Sequence, residues 1–150
     1  MIRDLSRPEG LLLAMGVALA VILLGIGLAS GEIVRHIVQA TPATALTLLA
    51  WRWPALARWA LAPVFGFWLL IAVCIGLFLA HLPSPLSGTF NPAERTLTGG
   101  LALVSLTGFS LFPRIQRPLA WPAGLGVAAL GLAAQVAALA ISLQPAIAHR

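Results

Sequence analysis

The sequence has no lysine and no tyrosine, one cysteine and four acidic residues. Charged residues make up 9% of it, against about 25% in an ordinary soluble domain. So little charge cannot cover a soluble surface, which excludes a cytosolic globular enzyme and a disordered tail. The lone Cys74 can close no internal disulfide, which excludes a secreted disulfide scaffold and says nothing about redox compartment. No P-loop, CxxC or HExxH pattern is present.

What the chain does have is hydrocarbon. Of its 150 residues, 60% are hydrophobic, and the mean hydropathy is +0.99. The apolar residues gather into runs long enough to cross a bilayer, which takes about 20 residues of helix. The reading is an all-α integral membrane protein with four transmembrane helices, at about 10–30, 60–80, 96–112 and 121–143. Asn91-Pro92-Ala93-Glu94 is a start signal for the third, with a capping Asn, Pro at the first helical position and Glu placed to reach back to the cap. Pro113 and Gln144-Pro145 are stop signals. Arg3 and Arg7 before the first run, with Gly27-Leu28-Ala29 near its end, imitate a signal peptide. The apolar run is longer than an ordinary signal core, so a retained helix is expected.

Segment 31–59 differs. Glu32, Arg35, His36 and Gln39 recur at i, i+3, i+4 and i+7, with Ile33, Val34, Ile37 and Val38 opposite. This predicts an amphipathic interfacial helix between the first and second spans. With no Pro between residues 10 and 41, the first helix is expected to run unbroken from Gly10 to Gln39. Thr41-Pro42 then reads as the cap of a short second helix ending near Trp51. Trp51, Arg52, Trp53, Arg58 and Trp59, with Arg114, Arg117 and Trp121 further on and Arg35 before, are expected in the lipid headgroup layer.

All nine basic residues are arginines scattered between the spans, which points to lipid headgroups and topology rather than nucleic acid. Four spans would put Arg3, Arg7, Arg95 and Arg150 on one side, and Arg35, Arg52, Arg58, Arg114 and Arg117 on the other. That near tie leans toward both termini outside a bacterial inner membrane.

The spans carry no ionisable residue, which argues against a proton pump or voltage sensor acting alone. Gln135 is the one strongly polar side chain inside a span and is expected to bond another helix. Gly16/Ala20, Gly27/Gly31 and Gly124/Ala128 form small-xxx-small pairs suited to close helix packing or contact with a partner. His36 and His81 are expected at opposite faces of the bilayer and so cannot share a haem; no cofactor or metal is expected. Three functions follow. The first is a non-catalytic accessory subunit of a larger membrane complex, such as an electron-transfer or photosynthetic assembly, with other membrane subunits and lipids as partners. The second is a small homo-oligomeric transporter or channel, or a transporter's small subunit. The third is an enzyme on a lipid or quinone, which would need Glu32, Arg35 or His36 buried in a cleft.

Overall fold

The computed structural model describes residues 7–85, 88–115 and 119–148. They form α1 (Arg7–Ser30), α2 (Ile33–Arg52), α3 (Pro54–Leu79), α4 (Pro92–Ser110), a single 3-10 turn (Phe112–Arg114), α5 (Trp121–Ser142) and a four-residue α6 (Pro145–Ala148). The described residues contain no strand. Four segments are long and apolar enough to cross a membrane: Pro8–Ser30, Pro54–Leu79, Pro92–Arg114 and Trp121–Ser142. The protein is thus all-helical, with the make-up of a multi-pass membrane protein.

The helix ends follow local chemistry. At α4 both halves of the capping box form: the Glu94 N–H donates to Asn91 Oδ1 at 2.9 Å, and the Asn91 N–H donates to Glu94 Oε2 at 2.6 Å. Pro54 opens α3 at the position where a missing N–H costs nothing. Pro113 falls in the 3-10 turn just past the end of α4.

Two expected boundaries are wrong, both around α2. No helix runs from Gly10 to Gln39. The chain breaks at Gly31, whose φ of +74° is the left-handed conformation that ends helices and that glycine adopts without steric cost. Nor does a helix begin at Thr41-Pro42: α2 passes straight through Pro42. Proline removes the backbone donor to the Val38 carbonyl, and the hydroxyls of Thr41, Thr44 and Thr47 go instead to the Ile37, Ala40 and Ala43 carbonyls, at 2.8, 3.0 and 2.7 Å. Packing against neighbouring helices makes an internal proline tolerable in an apolar bundle.

The break at Gly31 folds α2 back along α1. Gly27 lies against His36, and Gly16 against Thr47, so residue numbers of facing pairs have a constant sum, as in an antiparallel hairpin. Gly25 faces Leu97 and Gly100 faces Ile22, making α4 antiparallel to α1. Gly108 meets the Phe65 ring, and Phe78 near the end of α3 meets Phe90 just before α4, so α3 and α4 are antiparallel too. On α5, Gly124 meets Trp59 and Gln135 meets Trp68, so α5 runs parallel to α3. The helices close a ring in the order α1, α2, α5, α3, α4, with α3 also touching α1 and α2. Leu12, Leu19, Leu23, Leu61, Phe65 and Leu101 fill the interior.

The bundle therefore has two distinct ends. At the turn end lie Gly31, the last residues of α3 and α5, and the first of α4. At the arginine end lie the start of α1, the α2–α3 junction and the 3-10 turn. His36 and His81, expected at opposite faces, are both at the turn end, because α2 as well as α3 runs the length of the bundle between them.

Candidate functional site: a polar cavity at the turn end

A cavity of about 740 Å³ opens at the turn end, between α2 and α3 on the side away from their junction. Its deep walls are hydrocarbon: Leu23 and Ile26 from α1, Ile71 and Ile75 from α3, Leu101 from α4 and Leu139 from α5. Its polar side comes from the two helix starts that meet there. α2 brings Glu32, Arg35, His36 and Gln39, and α4 brings Asn91, Glu94 and Thr98.

Most of these groups already have a partner. Arg35 Nη1 donates to Glu32 Oε2 at 2.6 Å, a half-exposed pair at the rim. His36 Nδ1–H donates to the Glu32 carbonyl at 3.0 Å. A carbonyl can only accept, so Nδ1 carries the proton and the other ring nitrogen, Nε2, is left for the cavity. Gln39 Nε2 donates to Ser142 Oγ at 2.9 Å, tying α2 to α5 and leaving the amide oxygen over. Thr98 donates to the Glu94 carbonyl, and Asn91 Nδ2 to the Ala29 carbonyl, which joins the start of α4 to the end of α1.

Glu94 is the exception. Its side chain is buried, only 8% exposed, and one carboxylate oxygen receives the Asn91 N–H of the capping box. No ion pair reaches the carboxylate among the described residues. At the cavity floor Trp68 donates its indole N–H to Gln135 Oε1 at 3.1 Å, while Gln135 Nε2 is buried without a partner.

The residues singled out from sequence divide among three places. Gly16, Gly27 and Gly124 are consumed inside the chain, under Thr47, His36 and Trp59. Ala20 is buried, Ala128 half-buried, and Gly31 is the exposed turn. Gln135 bridges α5 to α3, and Arg35 stands at the cavity rim. The remaining arginine and tryptophan residues gather at the arginine end, where Trp51, Trp53 and Trp121 are exposed. Trp59 is buried instead, edge-on to Phe112 at 5.8 Å and to Trp121 at 5.2 Å. The Arg58 guanidinium lies 4.5 Å from the Phe112 ring centre, and that of Arg52 5.3 Å from Trp53. Arg114 is exposed at the same end, and Arg117 lies outside the described residues.

Gln39, Trp68, Glu94 and Thr98 join the cavity without having been singled out as site residues. The polar stripe of α2 was visible in the sequence, but its inward orientation was not. Comparison with protein-family models, curated proteins and solved structures finds no match to this chain.

Proposed function

We propose that this chain is a membrane-embedded binding protein that holds a small amphipathic molecule in the turn-end cavity and carries out no covalent chemistry. The cavity itself carries the reading. Its volume falls within the ~300–1,000 Å³ of small-molecule sites, and it pairs hydrocarbon walls with a few convergent polar groups. Glu32, Arg35 and His36 are where an enzyme would need them, yet the only hydroxyls in the described lining are those of Ser30, Thr89 and Thr98. Glu32 and Arg35 neutralise one another, the Ser30 and Thr98 hydroxyls are spent on backbone carbonyls, and Cys74 is not in the lining. Binding, as in the transporter alternative, is the simpler use of these groups. The accessory-subunit reading stands second, supported by the outer face of α5, where Ala133 and Ala137 give a smooth exposed strip for another membrane helix. No residue favours an electron-transfer or photosynthetic setting for it.

We also read α2 as a fifth crossing rather than an interfacial helix. Its 20 residues span about 30 Å, the hydrocarbon thickness. It is amphipathic inside out: His36, Gln39 and Thr47 are buried, while Val34, Ile37 and Leu48 face outward. Five crossings re-sort the arginines. Arg3, Arg7, Arg52, Arg58, Arg114 and Arg117 belong by chain order to the arginine end, and Arg35, Arg95 and Arg150 to the turn end. Six against three replaces the near tie and puts the arginine end in the cytoplasm. The cavity then opens on the outer side of what we take to be a bacterial inner membrane.

The test is native mass spectrometry of the protein released from its own membrane in lipid nanodiscs. A bound small molecule that disappears in Ile71→Trp, which pushes a larger side chain into the apolar wall of the cavity, supports the reading. An identical spectrum for both proteins overturns it.

A further inference from the structure

We propose that the cavity selects an organic cation with a hydrophobic body, a lipophilic amine or onium ion, through the buried carboxylate of Glu94. The inference rests on the binding reading above and names the class of ligand. The fixed charges lining the cavity are Glu32, Arg35 and Glu94, two negative and one positive, so the net is −1. Arg35 and Glu32 cancel at 2.6 Å, which leaves the uncompensated charge on Glu94.

Spare acceptors stand near that charge. His36 Nε2, the Gln39 amide oxygen and the second Glu94 oxygen remain as acceptors, beside spare donors on Arg35 Nε at the rim and Gln135 Nε2 behind Trp68. An anionic head would meet the Glu94 carboxylate at low dielectric, where the one lining guanidinium, Arg35, is already neutralised by Glu32. A cation meets a carboxylate in a site of low dielectric, where the attraction is stronger than in water. Trp68 and Phe90 also line the cavity, and aromatic faces attract cations that have left water. Leu23, Ile71 and Leu101 receive the apolar body.

The experiment is equilibrium binding to the full chain in nanodiscs, with binding to empty nanodiscs subtracted, using tetraphenylphosphonium and tetraphenylborate. These probes share size and shape and differ in the sign of charge. Tetraphenylphosphonium is expected to bind at least about tenfold more tightly than tetraphenylborate, and Glu94→Gln to remove about a tenfold preference, one unit of charge pairing. Glutamine keeps the capping box, so the variant folds. Ile71→Trp is expected to abolish binding of both probes. Equal binding of both, or tighter tetraphenylborate, overturns cation selection and leaves the binding reading standing provided Ile71→Trp removes it. Binding of neither probe above background, or binding that Ile71→Trp leaves unchanged, overturns the cation proposal at this cavity. In that case the molecule identified by mass spectrometry decides whether the cavity binds anything. An unchanged preference in Glu94→Gln overturns the role of Glu94.

Discussion

Gly27 on α1 lies directly under His36 on α2. A Cβ added to the glycine would sit 2.7 Å from the histidine Cβ and 3.2 Å from its Nδ1. The same Nδ1 donates to the Glu32 carbonyl, so the absence of one side chain on α1 fixes how an imidazole is presented to the cavity. The relationship joins the packing of the hairpin to the chemistry of the site.

Gly27→Leu should therefore damage both. Overpacking of this kind costs about 1–3 kcal/mol, and His36 is 8% exposed, with nowhere to retreat except into the cavity. We expect lower stability in a denaturation series and loss of the molecule seen by native mass spectrometry. Unchanged stability and occupancy would show that α1 and α2 do not approach at this point.

The Trp68–Gln135 bond makes an ordering of variants testable. Trp68→Phe removes the donor and leaves the whole Gln135 amide buried without a partner, since its Nε2 already has none. Gln135→Leu removes both amide groups and orphans only one indole N–H. Hydrogen bonds between membrane helices are worth about 0.6 kcal/mol on average and up to ~1.7. Trp68→Phe should then be the more destabilising, and Gln135→Leu should fold with a loss of about 1 kcal/mol or less. A double-mutant cycle reads the coupling directly. If Gln135→Leu proves the more harmful, the amide serves something outside this chain.

Glu94 has two separable roles, and two substitutions separate them. Glu94→Ala loses the returning half of the capping box, a cost of about 1 kcal/mol on the scale of helix caps. Glu94→Gln keeps that half and loses only charge. Thermal stability should fall in the first and hold in the second, whereas cation binding should fall in both. Equal stability in Glu94→Ala would mean that the box contributes little to holding α4.

Much of this fold is legible in the sequence, and the reason the rest is not is physical. Hydropathy and length find α1, α3, α4 and α5, because a helix that meets hydrocarbon on most of its faces shows a run of about 20 apolar residues. Asn91-Pro92-Ala93-Glu94 marks the start of α4 because capping is local chemistry. The course of α2 is different. The spacing of Glu32, Arg35, His36 and Gln39 displays a stripe, but a stripe has no sign: in water it faces out, and between helices in lipid it faces in. Pro42 and the positive φ of Gly31 compound this, since one resembles a stop and does not act as one, and the other stops a helix inside an apolar run. The cavity follows from the direction of α2. Glu94 was legible as a cap, but its burial depends on helices distant in sequence.

The proposed path of α2 across the bilayer, on which the outward opening of the cavity depends, is tested most directly by locating the two ends of the chain. In a Cys74→Ser background, single cysteines are placed by Ile2→Cys and His149→Cys and labelled with a membrane-impermeant maleimide in intact and in opened cells. Five crossings require opposite sides, with position 149 labelled in intact cells and position 2 only after opening. Labelling of both from one side would mean four crossings, with α2 lying on the surface and no cavity between it and α3.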